Sequence, residues 1–272
     1  MTFQIQYATK GRSFWPRRRS DALPDRVTAN LKYLQALKSQ GVNWLGLTVS
    51  DEAYELGTGR DDFFSFFQTL ELGLALGFRI NVRTHPMVHT SRRLVDNPDE
   101  ALNEFYGPFS ALMKPYDPKK VMWTLMPEPA LTARVSSEGA ILAPSYAEFI
   151  ERLPTETAKL EDFLSHQMKH LRIDLPLTTF GLSSPGWSHL LPNGDVYEYD
   201  LMGKSADSNI VRCHDFYFEV DPLPFLNRAY KKYAAQGEKL MLGEYGSTPL
   251  LESRMEGWCK SYRVPYAKWQ LN

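Results

Sequence analysis

The sequence is poor in several things, and each shortage excludes a class of protein. Its 272 residues include only two cysteines, Cys213 and Cys259. Two thiols cannot staple a small disulfide scaffold, so both are read as packing residues. Excess charge of either sign is also missing: 31 Lys and Arg stand against 32 Asp and Glu, a formal net charge of -1. A chain this balanced offers no general field for a polyanion, and no nucleic-acid partner is expected. No stretch reaches the roughly 18 apolar residues that cross a bilayer, so no membrane partner is expected. Residues Met1 to Lys10 lack a basic segment followed by an apolar one, so no signal peptide is read and a cytoplasmic location is mildly favoured. No Gly-x-Gly-x-x-Gly turn follows the first apolar run, which argues against a dinucleotide site.

What is present is an alternation. Short apolar runs at Phe3–Ala8, Val42–Val49, Arg79–Val88, Val121–Leu125, Leu177–Leu182, Ile210–Phe218, Lys239–Gly243 and Val264–Trp269 read as strands. Between most of them lie stretches with helical spacing, such as Leu23–Gln40 with Val27, Leu31, Leu34 and Leu37 on one face. Gly41, Gly77 and Gly237 are placed to stop helices. Continuous apolar strands alternating with helices imply parallel β/α units covered on both faces. Eight such units predict one (β/α)8 TIM barrel over residues 1–272, close to the usual size of about 250 residues. Gly11–Ser20 reads as a polar turn, and Leu131–Pro144 and Ser183–Asp207 as long loops. The eighth strand ends three residues before the sequence does, so the last helix is expected to be missing and the exposed flank to be covered by the N-terminal arm, by a partner chain in an oligomer or by a removed segment.

In such a barrel the reactive groups sit at the C-terminal ends of strands. There the sequence offers Arg83 and His85 on strand three, Glu128 after strand four, His214 and Tyr217 on strand six, Glu244 after strand seven and Trp269 on strand eight, with Trp187 in the loop after strand five. Glu128 and Glu244 each end an apolar strand, where an idle charge is costly. Paired carboxylates suit glycosidic bond cleavage, one giving a proton to the leaving oxygen and the other attacking the anomeric carbon or activating water.

Taken in this order, the residues resemble clan A retaining glycoside hydrolases, most closely the cellulase-like family 5. Gly243-Glu244-Tyr245-Gly246 is similar to the nucleophile motif of that family, Glu128 to its acid/base, His85, His214 and Trp269 to its sugar-site residues. The resemblance implies a retaining glycosidase acting on β-glycosidic bonds of a poly- or oligosaccharide, with no metal and no cofactor. This chain departs from the pattern in three places. Pro127 stands where the family has Asn, Gly46 stands where strand two has Arg, and the strand-six Tyr is displaced by one in His214-Asp215-Phe216-Tyr217. Arg83 is a candidate to restore the missing guanidinium. The alternative of another class is an inactive barrel that binds a saccharide or serves an assembly. An aldolase-like barrel would want a Lys at a strand end, and Lys268 lies within strand eight.

Overall fold

The computed structural model describes residues 3–14, 16, 23–50, 60–85, 94–127, 146–183, 210–217, 223–235, 237, 239–246 and 248–269. Eight strands close into one barrel in sequence order, every neighbouring pair parallel. They are β1 (Lys10–Phe14), β2 (Trp44–Ser50), β3 (Arg79–His85), β4 (Val121–Thr124), β5 (Thr179–Ser183), β6 (Ile210–Tyr217), β7 (Lys239–Gly246) and β8 (Tyr266–Trp269). The helices are α1 (Leu23–Ser39), α2 (Arg60–Ala75), α3 (Pro98–Ala101), α4 (Gly107–Met113), α5 (Tyr146–Asp174), α6 (Leu223–Ala235) and α7 (Pro249–Tyr262). A π-helical turn, Leu102–Tyr106, joins α3 to α4. The expected (β/α)8 architecture is present. Among the described residues no helix follows β8, and β8 is nevertheless covered: Tyr266 and Ala267 are buried, Tyr266 within the cluster that holds Met255 and Cys259 of α7.

The first strand is a correction. Phe3–Ala8, expected as β1, contains a 3-10 turn, Ile5–Tyr7. The strand is Lys10–Phe14, inside the segment read as a polar turn. The physical reason is size inside the barrel. Gly11 and Ser13 pair with Trp44 and Gly46 of β2, and a Cβ on Gly11 would lie 2.2 Å from the Trp44 ring. Small residues are required where a barrel interior is already filled, and they masquerade as turn residues in a sequence. Phe3 and Ala8 instead join Trp44, Met122, Val211, Cys213, Met241 and Ala267 in an apolar cluster inside the barrel. The Phe3 N–H donates to Thr179 Oγ1 at 3.0 Å and the Gln4 N–H to the Lys119 carbonyl at 3.1 Å, so this segment plugs the N-terminal end of the barrel.

Alternation along the strands separates this inner cluster from an outer one. Leu45, Leu47, Val49, Ile80, Val82, Trp123 and Leu182 face the helices. Trp123 is fully buried against Phe109 of α4 and Phe180 of β5, with its Nε1–H donating to Thr84 Oγ1 at 2.9 Å. Gly41 and Gly77 end α1 and α2 with φ of 79° and 78°, a backbone that favours glycine. α5 runs unbroken through Pro154.

Replacing Gly11 with Ala is expected to destabilise the fold by about 1–3 kcal/mol, because the added methyl meets a rigid indole. Thermal unfolding should show a lower midpoint. An unchanged midpoint would show that Trp44 moves aside freely.

Candidate functional site

The C-terminal end of the barrel stands on a polar shaft. Above the inner apolar cluster, Ser13, Thr48, Asn81, Arg83 and Thr124 are all buried. They lie on four adjacent strands in register: Ser13 beside Gly46, Gly46 beside Asn81, Thr48 beside Arg83, and Arg83 beside Thr124. Thr124 Oγ1 donates to Asn81 Oδ1 at 2.8 Å and lies 3.6 Å from Cys213 Sγ. Cys213 is thus a packing thiol within the barrel.

Arg83 is 1% exposed, and its Nη1 donates to Ser13 Oγ at 2.8 Å. The side chain therefore reaches from β3 past β2 to β1. Gly46 makes that passage possible: a Cβ there would stand 2.6 Å from Ser13 Oγ. The glycine that replaces a strand-two side chain and the arginine of strand three form one arrangement. A guanidinium removed from water costs several kcal/mol unless a counter-charge faces it. Arg83 is accordingly held by partners within the barrel, Ser13 among them.

The C-terminal end of β7 is irregular. Asp215 pairs with Glu244, and the β6/β7 register is irregular between His214 and Asp215, as is the β7/β8 register between Leu242 and Tyr245. Irregularities of this type bend a strand and re-aim its side chains, and they gather beside active sites. Tyr245 is buried beside Glu244 in sequence, and its hydroxyl donates to Glu256 Oε1 of α7 at 2.6 Å. That bond ties the bent end of β7 to the helix behind it.

Burial first, and the Glu256 carboxylate second, hold the Tyr245 hydroxyl above its ordinary range. Burial, Glu256 and Cys259 push Tyr266 up to about 12. Both groups are harder to ionise in the folded chain than in the unfolded one. The Tyr266 contribution is complete below pH ~10 and is lost as pH rises through about 12, whereas that of Tyr245 persists to higher pH. Thermal midpoints should fall across that interval, and Tyr266→Phe should flatten the fall. An equal slope in both proteins would exclude Tyr266 as a source.

At the end of β4, Met126 is buried with φ of 102°. A non-glycine residue there costs on the order of 1–3 kcal/mol and persists only where its surroundings hold it, most often at functional sites. This strain lies two residues before Glu128.

The expected site residues fall into three groups. Arg83 is buried in the shaft and Trp269 is half-buried at the end of β8. His85, His214, Tyr217 and Glu244 occupy strand positions at or near the C-terminal ends of β3, β6 and β7. Glu128 and Trp187 lie outside the described residues. Lys268 is paired with Glu252 of α7 at 2.6 Å, which removes it as an aldolase-type amine. His166 sits 3.0 Å from Asp99 and stacks near His170, at 4.7 Å between rings. Among the described residues no group of three His, Cys, Asp or Glu could hold a metal ion, and no helix is long and apolar enough to cross a membrane. Ser13 and Met126 were not visible as site residues in the sequence. The Gly-Arg-Ser-Phe alternation of Gly11–Phe14 was the available signal for Ser13; backbone strain at Met126 leaves none.

No family model and no curated protein sequence matches the chain. Solved structures do. A broad-specificity GH5-4 endoglucanase from Clostridium acetobutylicum superposes with a TM-score of 0.68 at 14% identity, over 99% of this chain and 90% of its own. A thermostable, halotolerant GH5 cellulase from an Icelandic hot spring isolate gives 0.65 at 16% identity, over 97% and 76%. The catalytic domain of alkaline cellulase K gives 0.63 at 14% identity, over 97% and 74%. The chain has the TIM-barrel fold of the GH5 cellulases, at a sequence distance that fixes the fold alone.

Proposed function

We propose that the chain is a retaining glycoside hydrolase of β-linked poly- or oligosaccharides, built as a single catalytic domain. The observation that carries this reading is the position of Glu244: it lies at the bent C-terminal end of β7, in a barrel whose shaft already holds the buried Arg83 guanidinium. The nearness in fold to GH5 cellulases supports the same reaction class.

In this mechanism Glu244 attacks the anomeric carbon and forms a glycosyl-enzyme. Glu128, three strands round the ring after β4, protonates the departing oxygen and then takes a proton from the incoming water. Arg83 keeps Glu244 ionised and aimed, from beneath. His85, His214, Tyr217, Trp187 and Trp269 make up the sugar-binding wall, with the half-buried Trp269 ring as a stacking floor. Pro127 has no side-chain amide, so the contact that an Asn makes to the sugar in the resembling family comes from another residue or is absent.

The test is hydrolysis of a panel of β-glucans, mannans and xylans, followed by proton NMR of the first product formed. Retention gives the β-anomer initially and fits carboxyl groups about 5–5.5 Å apart. Initial α-anomer means inversion and overturns the covalent step. Saccharide binding with no turnover across the panel favours the alternative, an inactive saccharide-binding barrel.

A further inference from the structure

The N-terminal end of the barrel, opposite the proposed catalytic mouth, carries a cavity of about 790 Å³. It lies where the chain enters β1, β7 and β8 and where α6 and α7 end, between Thr9, Ala234, Leu240 and Val264. The size falls within the roughly 300–1,000 Å³ of small-molecule sites.

Its chemistry has two parts. The wall is aromatic and aliphatic: Tyr230, Tyr233, Tyr262 and Tyr266 contribute rings. Tyr230 and Tyr262 lie 4.8 Å apart between centroids, and Tyr262 is 43% exposed. The charged lining is of one sign. Lys10, Lys239, Lys260 and Arg263 line the cavity, and among its described lining residues there is no Asp or Glu. Lysine and arginine are common at helix C-termini, because the backbone there carries partial negative charge. Two helix ends supply about one negative charge in total, and Glu256 lies a loose 3.9 Å from Lys260. Lys10 is taken up by the Gln40 carbonyl at 3.0 Å, and Lys239, Lys260 and Arg263 still exceed what these groups offset. The surplus stands in a chain whose overall charge is -1, so it is a local concentration and not a reflection of composition.

We propose that this cavity is a second binding site, for a small organic anion with a flat apolar body, such as an aromatic carboxylate or sulfonate. The tyrosines stack on the body and the cations receive the acidic group. The inference does not depend on the glycosidase reading, because none of the cavity residues belongs to the catalytic mouth.

Anilinonaphthalene sulfonate and uncharged N-phenylnaphthylamine serve as a matched pair of probes, followed by fluorescence. The sulfonate should bind saturably, one per chain, and at least about tenfold more tightly than the neutral probe. Lys239→Glu combined with Arg263→Glu should weaken the sulfonate by about tenfold or more and leave the neutral probe unchanged. Ala234→Trp fills the cavity from an exposed helical position, and should abolish binding of both. Circular dichroism and thermal midpoints establish that the variants fold. Equal affinity for the two probes, or full sulfonate binding in the Ala234→Trp protein, would overturn the proposal.

Discussion

Glu244→Gln is expected to lower the turnover number by roughly 10⁵-fold while the folded barrel persists, because an amide cannot form the glycosyl-enzyme. Glu128→Gln should cost about 10²–10⁴-fold, the range for a positioned proton donor. The two losses should differ in kind. With an activated aryl glycoside, whose leaving group needs little proton assistance, the Glu128 variant should recover its first step and stall at hydrolysis of the intermediate. The Glu244 variant should recover nothing. Trapping with a 2-fluoro-glycoside and mass spectrometry should place the covalent label on Glu244. Full activity in both variants, or a label elsewhere, would sink the mechanism.

Arg83→Met should reduce the turnover number by about 10²–10³-fold, the scale for removing one preorganised electrostatic contact, with KM changed by no more than about threefold. The reason is position: Arg83 is buried in the shaft and bonded to Ser13. Arg83→Lys should restore part of the rate, since it keeps the charge and loses the fork. A rise in KM with unaltered turnover would make Arg83 a substrate contact and not a positioning residue. Gly46→Ala probes the same arrangement from the other side, through the 2.6 Å approach to Ser13 Oγ.

Much of the fold could be read from the sequence because seven of eight strands advertise themselves. Leu45, Leu47 and Val49, or Ile80 and Val82, are outward residues that must be apolar under a helix. β1 escaped because its inward positions are Gly11 and Ser13, chosen to fit around Trp44 and Arg83. Apolar content is a sound guide to a strand only where space permits bulk. Strand assignment was enough to place Arg83 and His85 on the third strand and His214 and Tyr217 on the sixth, where the structure has them. The partner of Arg83 was hidden for the same reason that β1 was, because a serine inside a barrel and a serine in a turn look alike. Met126 was hidden for a different reason: a dihedral angle is a property of the surroundings, and a methionine carries no mark of it.

That dihedral sets a rule for anyone who transplants loops onto this scaffold. The chain leaves β4 through a φ of 102° at Met126, and a loop that departs from an ordinary extended residue starts on a different heading. A graft made at residue 125 brings its own exit direction and discards this one. A graft made at residue 127 inherits it. The junction is thus a choice of geometry as well as of sequence, and a loop exchange in this barrel stands or falls on which side of one methionine it is cut.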